Sequence, residues 1–259
     1  MMRRPLRAAL AASVLLLCGD AACAAIRDVR ESGSGIEYRV DDTRVKVDFV
    51  TDRIVHVTAT RNGDWSTSAH LMRAPVAGRP GAIAASDEGG ARILRSAQVG
   101  VAVDRTTGAL AFRNAAGAVL LREDDAAPRA FERVAVFKST PDPATVSTVR
   151  TVDGDRQVAG KYVQMKDRDA WKATARFRLG DDEALYGLGF DETADLDLRG
   201  KTRRLYQHNL RIAIPFVVST RGYGVLFDTY SAMTFASVGA MSAANTRSPA
   251  CTGTTRHAS

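Results

Sequence analysis

The acids Asp191, Glu192, Asp195 and Asp197 follow the glycine turn Tyr186-Gly187-Leu188-Gly189 in close succession. Carboxylates held side by side can divide into a proton donor and a proton acceptor, the requirement of general acid–base chemistry. These four are the best paired acids in the chain, although a run of this kind is more often a solvated loop. A second polar cluster, Gln207-His208-Asn209, lies a short way downstream. It offers an imidazole and two amides that could hydrogen-bond a hydroxyl-rich ligand, or a histidine bonded within a surface turn. Trp65 and Trp171 could each stack on a flat ligand face, but a place on a strand face is the commoner use of a lone tryptophan. His56, His70, His208 and His257 show no metal-ligand spacing, so no metal and no cofactor is expected.

The glycines at 187 and 189 do not make a phosphate loop. A third glycine at dinucleotide spacing is missing and no lysine follows. Glycines two apart mark a bulge or a close backbone approach, and a tight strand-to-loop transition is expected here.

What must position these residues is a set of strands. Val45, Val47 and Phe49 alternate with Arg44, Lys46 and Asp48, and Val55, Val57 and Ala59 alternate with His56 and Thr58. That period of two puts one side of each segment in a core and the other in water. Val99, Val101 and Val103 repeat it. Asp104-Arg105-Thr106-Thr107-Gly108 and Asn114-Ala115-Ala116-Gly117 then read as the turns of consecutive hairpins. Further strands are expected at 131–138, 145–152, 159–166, 172–179, 203–208, 212–219 and 223–228, and a long surface loop at 74–91. No segment keeps a helical period over three turns. The fold class is therefore all-β, an antiparallel sandwich.

Residues 1–24 are set apart as a signal peptide. Arg3, Arg4 and Arg7 precede an apolar run from Ala8 to Cys18, and Ala22-Cys23-Ala24 fits a small-x-small cleavage site after Ala24. The run is too short for stable membrane insertion, which needs roughly 20 residues. Cys18 and Cys23 lack the residues a lipid-attachment site wants before them, so a soluble periplasmic or secreted location is expected. Cleavage leaves Cys251 alone, which excludes an intramolecular disulfide. It also lowers the formal charge from +7 to +5. Basic residues are interspersed with acids, so no nucleic-acid partner is expected. Residues 25–236 read as one domain. The stretch 237–259 holds no acids and few large apolar residues, and reads as disordered or as the product of a shifted reading frame.

Several pieces of this chain occur in one order: Tyr186-Gly187-Leu188-Gly189, Leu198-Arg199-Gly200, Gln207-His208-Asn209, Pro215-Phe216, and Ser219 leading to Gly222-Tyr223-Gly224. Together they resemble the N-terminal, galactose-mutarotase-like sandwich of glycoside hydrolase family 31, which holds retaining α-glucosidases and α-xylosidases. The resemblance covers roughly 27–236 and is strongest from 172 onward. It implies an accessory domain that contacts an α-linked oligosaccharide weakly or not at all, beside a catalytic (β/α)₈ barrel. A retaining mechanism needs two carboxylates about 5–5.5 Å apart, and the family carries both on the barrel. No residue here is therefore expected to be catalytic, and the sequence is expected to stop before its barrel partner. The resemblance further implies that Asp191, Gln207, His208 and Asn209 shape a sugar-binding wall. The rival reading is a free-standing sugar-binding or mutarotase-like sandwich, for which Glu183 or Glu192 would pair with His208.

Export gives the first test. Expressed in a secreting host, the mature protein should begin at Ala25 by intact mass; a lipid-bearing Cys18 or Cys23 would contradict this.

Overall fold

The computed structural model describes residues 25–61, 63, 65, 78–193, 195–237, 241–247 and 253–258. Segment 1–24, read from the sequence as a signal peptide, lies outside them. The chain opens with β1 (Arg27–Ser32), β2 (Gly35–Val40), β3 (Thr43–Phe49) and β4 (Ile54–Thr60). A meander follows: β5 (Ala84–Glu88), β6 (Ala91–Arg95), β7 (Val99–Asp104), β8 (Leu110–Asn114) and β9 (Val119–Glu123). Next comes a long arm. β10 (Arg129–Pro141) leads out, β11 (Val146–Thr151) and β12 (Gly154–Ala159) form the tip, and β13 (Tyr162–Arg178) returns. The remainder is β14 (Leu185–Phe190), β15 (Thr202–Leu205), β16 (Ile212–Ser219), β17 (Tyr223–Asp228), β18 (Met233–Ala236), β19 (Met241–Arg247) and β20 (Gly253–Ala258). Among the described residues the only helical element is a 3₁₀ turn at Pro143–Thr145.

These strands build an antiparallel sandwich. One sheet runs β1-β2-β3-β4-β20-β17-β16-β14, and the other β15-β18-β19-β13-β9-β8-β7-β6-β5, with β10 also on β13. The period of two reads directly onto this. Val45, Val47 and Phe49 of β3 face inward beside Val55 and Val57 of β4, and all are buried. Val101 and Val103 of β7 pair with Phe112 and Leu110 of β8 from the opposite layer, and both sheets feed one apolar core. The two expected turns are present. Asp104 accepts at Oδ1 from the Thr106 and Thr107 amides, and Asn114 accepts from the Ala118 amide.

Gly108 closes the first turn in the left-handed region (φ 67°). A Cβ there would stand 3.0 Å from the Tyr38 ring and 3.1 Å from Val40. This close approach carries a buried polar network that the sequence pattern does not announce. Tyr38 of β2 donates its hydroxyl to the Gly108 carbonyl at 2.6 Å. Arg129 of β10 donates to the same carbonyl and pairs with Glu123 of β9 at 3.1 Å. Glu123 also accepts from the Leu110 amide at 2.8 Å. Burial pushes the Glu123 carboxyl up against the opposing pull of Arg129, and pushes the Tyr38 phenol up to about 12.

Three stretches differ from expectation. Residues 84–88, placed in a loop, form β5, an exposed edge strand whose polar face gives no alternation. The strands expected at 159–166 and 172–179 are joined as β13 through Lys166-Asp167-Arg168-Asp169, with a register shift opposite Val136/Phe137. Here the arm is two-stranded and wet on both faces, so polar residues do not interrupt it. Beyond Ser237, β19 pairs with β13 and β18, and β20 pairs with β4 and β17, in place of disorder. Met241 and Ala243 are buried in the core, so the sandwich continues past 236. Small residues suffice there because the ladder is made by backbone groups.

Arg129→Met should destabilise the fold by about 3–5 kcal/mol, because it strands a buried carboxylate. A buried acid with a raised pKa contributes most below its unfolded value, near 4.3, and that contribution is lost as pH rises through the folded value. The variant's deficit in urea unfolding should therefore be larger at pH 8 than at pH 5. Adding Glu123→Gln, which keeps an acceptor for Leu110, should recover part of the loss at pH 8.

Candidate functional site

The chain between β14 and β16 crosses from one sheet to the other and back. β14 is the edge of the first sheet and β15 the edge of the second, so this crossing wraps the open side of the sandwich. A cleft of about 280 Å³ lies there, lined by 187–191, by Asp195, Leu196 and Leu198, and by 203–206 and 211–213.

Local chemistry explains its shape. Gly187, Leu188 and Gly189 all have positive φ, at 125°, 67° and 88°. A Cβ on Gly187 would lie 2.3 Å from the Phe216 carbonyl oxygen, and one on Gly189 would lie 2.0 Å from that of Ile212. Only glycine permits this approach. Register shifts across it, from Gly187 opposite Val217 to Gly189 opposite Ala213. Pro215 sits in the irregular stretch, where its missing N–H breaks no ladder bond. The left-handed backbone at Leu188 sends that side chain into the core.

The segment beyond is stapled in place. Asp197 accepts at Oδ1 from the Leu185 and Arg199 amides. Arg199 donates from Nη1 to the carbonyls of Gly180 and Glu183, both at 2.7 Å. The Ser237 hydroxyl donates to the Leu198 carbonyl. Leu198-Arg199-Gly200 is thus a clasp that holds one cleft wall.

Charge in the cleft centres on Arg203. Its guanidinium lies 2.7 Å from Asp195 and 3.5 Å from Asp191, and the side chain is 13% exposed. Arg211 approaches Asp191 at 3.5 Å and Lys201 approaches Asp195 at 3.3 Å. The Thr193 amide bonded to Asp191, and the arginines around it, hold that carboxyl below the usual range. A Lys201 bond does the same for Asp195, helped by Arg203. Phe190 and Tyr206 line the cleft with more than half of their surface exposed, and the Arg204 guanidinium stands 5.9 Å over the Tyr206 ring.

Of the four residues read from the sequence as a sugar wall, Asp191 lines the cleft. Gln207 instead brackets its own loop, donating to the Arg211 carbonyl and accepting from the Ala213 amide at 3.0 Å. His208 and Asn209 are exposed on that loop, outside the cleft lining. The His208 ring lies 6.0 Å from that of Tyr206. Arg203, Arg211 and Tyr206 were not singled out as ligands. The alternation Thr202-Arg203-Arg204-Leu205, with Arg203 and Leu205 facing one way, was the available signal.

The rival acid–base pairing is not formed. Glu183 is buried, accepting at Oε1 from Ser219 and Tyr223 and at Oε2 from the Gly180 amide, while Glu192 is exposed. Both tryptophans are occupied elsewhere: Arg44 stands 5.1 Å over Trp65, and Arg61 and Arg133 flank Trp171. Among the described residues, no group of three or more His, Cys, Asp or Glu could hold a metal ion.

Residues 44–235 match the family model of the glycosyl hydrolase 31 N-terminal galactose mutarotase-like domain. The chain belongs to that family. Relatives of the domain are longer proteins. An uncharacterized family 31 glucosidase of Pseudescherichia vulneris is 27% identical over 208 residues, covering 76% of this chain and 35% of the relative. The GH31 α-xylosidase structure from Xanthomonas citri superposes with a TM-score of 0.62 at 26% identity, over 80% of this chain and 20% of that one. A soil-metagenome GH31 α-xylosidase complexed with xylose gives a TM-score of 0.66 at 17% identity, over 90% and 32%. The last shows a shared fold. The chain thus spans about a third or less of the proteins it matches.

In this GH31 domain, Gly189→Ala should cost more than about 3 kcal/mol, combining left-handed strain with a backbone clash. Gly200→Ala, also left-handed (φ 73°) but with nothing within 4 Å of its Cβ, should cost only about 1–2 kcal/mol. Chemical denaturation of both variants distinguishes close approach from strain alone.

Proposed function

We propose that this chain is the accessory domain of an exported α-glycosidase of family 31, and that its edge cleft contacts an α-linked oligosaccharide beside a separate catalytic domain. The observation that carries the reading is the cleft. Ionised carboxylates, guanidinium groups and two exposed aromatic rings face one space about the size of a sugar ring, on the segment that carries the family's motifs. Sugars are bound by this combination, since hydroxyls take directional hydrogen bonds while the ring's C–H face rests on an aromatic. His208 and Asn209, exposed on the adjoining loop, extend the same wall outward. In this reading the catalytic acids belong to the partner domain, and the chain alone contributes binding.

The outer face beside the cleft fits such a partner. Tyr186 pairs across the ladder with Val218, and Phe190 with Ile212; these four and Ile214 are all exposed. A contiguous apolar surface of this kind marks an interaction face. The basic leader and the Ala22-Cys23-Ala24 site support export to the periplasm or medium.

Two measurements test the proposal. Purified chain should turn over 4-nitrophenyl α-xyloside and α-glucoside no faster than buffer, and activity abolished by Asp191→Asn would refute an accessory role. The same variant should weaken oligosaccharide binding by calorimetry. It should also lower the melting temperature at pH 7, a difference that fades as the pH falls through the depressed Asp191 pKa.

A further inference from the structure

The cleft is short of negative charge. Its lining holds Arg203, Arg204 and Arg211 against Asp191 and Asp195. Arg203 is internal, shared between the two carboxylates. Asp195 also carries Lys201, and Asp191 also carries Arg211. Both carboxylates are therefore already divided between two cations each. Arg211 Nε is buried and makes no hydrogen bond, although Asp191 lies 3.5 Å away. Arg204 is exposed, stacked over Tyr206, and among the described residues no carboxylate stands within ion-pair distance of it. A site built for a neutral sugar wants free acceptors for its hydroxyls. This one has both carboxylates ion-paired and its cationic donors in excess of them.

We propose that the cleft selects an acidic sugar, a carboxylate-bearing uronyl unit whose anion is taken by Arg204 and Arg211 while its ring lies against Phe190 or Tyr206. The inference rests on the reading of the cleft as a carbohydrate site and names the class of sugar. Guanidinium is suited to it: its planar fork meets a carboxylate with two parallel hydrogen bonds. The depressed Asp191 and Asp195 pKa values keep the internal pairs formed at neutral pH, so neither carboxyl gains a proton with which to donate to a ligand.

The test is calorimetry on the full chain with two matched probes, 4-nitrophenyl α-D-glucuronide and 4-nitrophenyl α-D-glucoside. The glucuronide should bind at least about tenfold more tightly at about 50 mM salt, and the advantage should shrink at about 500 mM. Arg204→Gln, a surface substitution that circular dichroism should show to be folded, should bring the two affinities within about twofold. Equal affinity of the wild-type chain for both probes would overturn the acidic-sugar inference and leave the carbohydrate reading intact. Binding of neither probe would overturn both. A glucuronide preference unmoved by Arg204→Gln and by Arg211→Gln would overturn the assignment to this cleft.

Discussion

A buried polar network that joins the two sheets through Tyr38 sets the relation of the sandwich's layers. Apolar packing presses sheets together without specifying how one lies over the other, because dispersion and burial are non-directional. The Glu123–Arg129 pair, with Tyr38 and the Gly108 carbonyl, supplies direction. Tyr38 belongs to one sheet, while Glu123 and Arg129 belong to the other, and the three meet on a turn that only glycine can close so tightly. Sliding the layers would pull the Tyr38 hydroxyl away from the Gly108 carbonyl and from Arg129, leaving buried polar groups unpaired at about 1–3 kcal/mol each. The Tyr38 bonds contribute registry, while the Glu123–Arg129 pair beneath them adds little net stability, since its desolvation offsets most of its attraction.

With the layers in register, their two edges face one another across a fixed gap, and the chain from Phe190 to Ile212 wraps that gap. The cleft is therefore a property of edges. An edge strand has backbone groups with no ladder partner and is usually protected by bulges or charge. Both devices are present, in the Gly187–Gly189 irregularity of β14 and in Arg203, Arg204 and Lys201 beside and along β15. The same charges that discourage strand addition populate the cleft.

How much of this was legible in the sequence depends on the range of the interaction. Val45, Val47, Phe49, Val55 and Val57 declared their strands because each faces core on one side and water on the other. The turns at Asp104 and Asn114 declared themselves because their capping bonds are local. Glu123 and Arg129 gave no such signal. A charged residue on a strand reads as solvent-facing, and its burial is decided by Tyr38, far away in the chain. The site was half legible for the same reason. Asp191 stood out through its glycine-rich neighbours and lines the cleft, whereas Arg203 is tied to Asp191 and Asp195 only by a chain path that changes sheets between them. Gln207, read as a ligand, is bonded within its own loop, and an amide facing its own loop and an amide facing a sugar look alike in sequence. The arm from β10 to β13 was cut in two because a ribbon wet on both faces lacks alternation.

Protection and recognition at this edge have one electrostatic origin. Arg203 cannot be removed from the cleft without leaving Asp191 and Asp195 facing each other, so it acts as the fixed spacer between them. Arg211 and Lys201 flank that spacer from opposite sides, one through each carboxylate. A core of three cations on two carboxylates thus sits under an exposed rim where Arg204 is held against the Tyr206 ring. Because the pairs beneath are already formed, a ligand reaching the rim need not reorganise them. It meets a preset guanidinium and two aromatic faces, and the ordering cost that usually weakens binding to a loop has largely been met by folding.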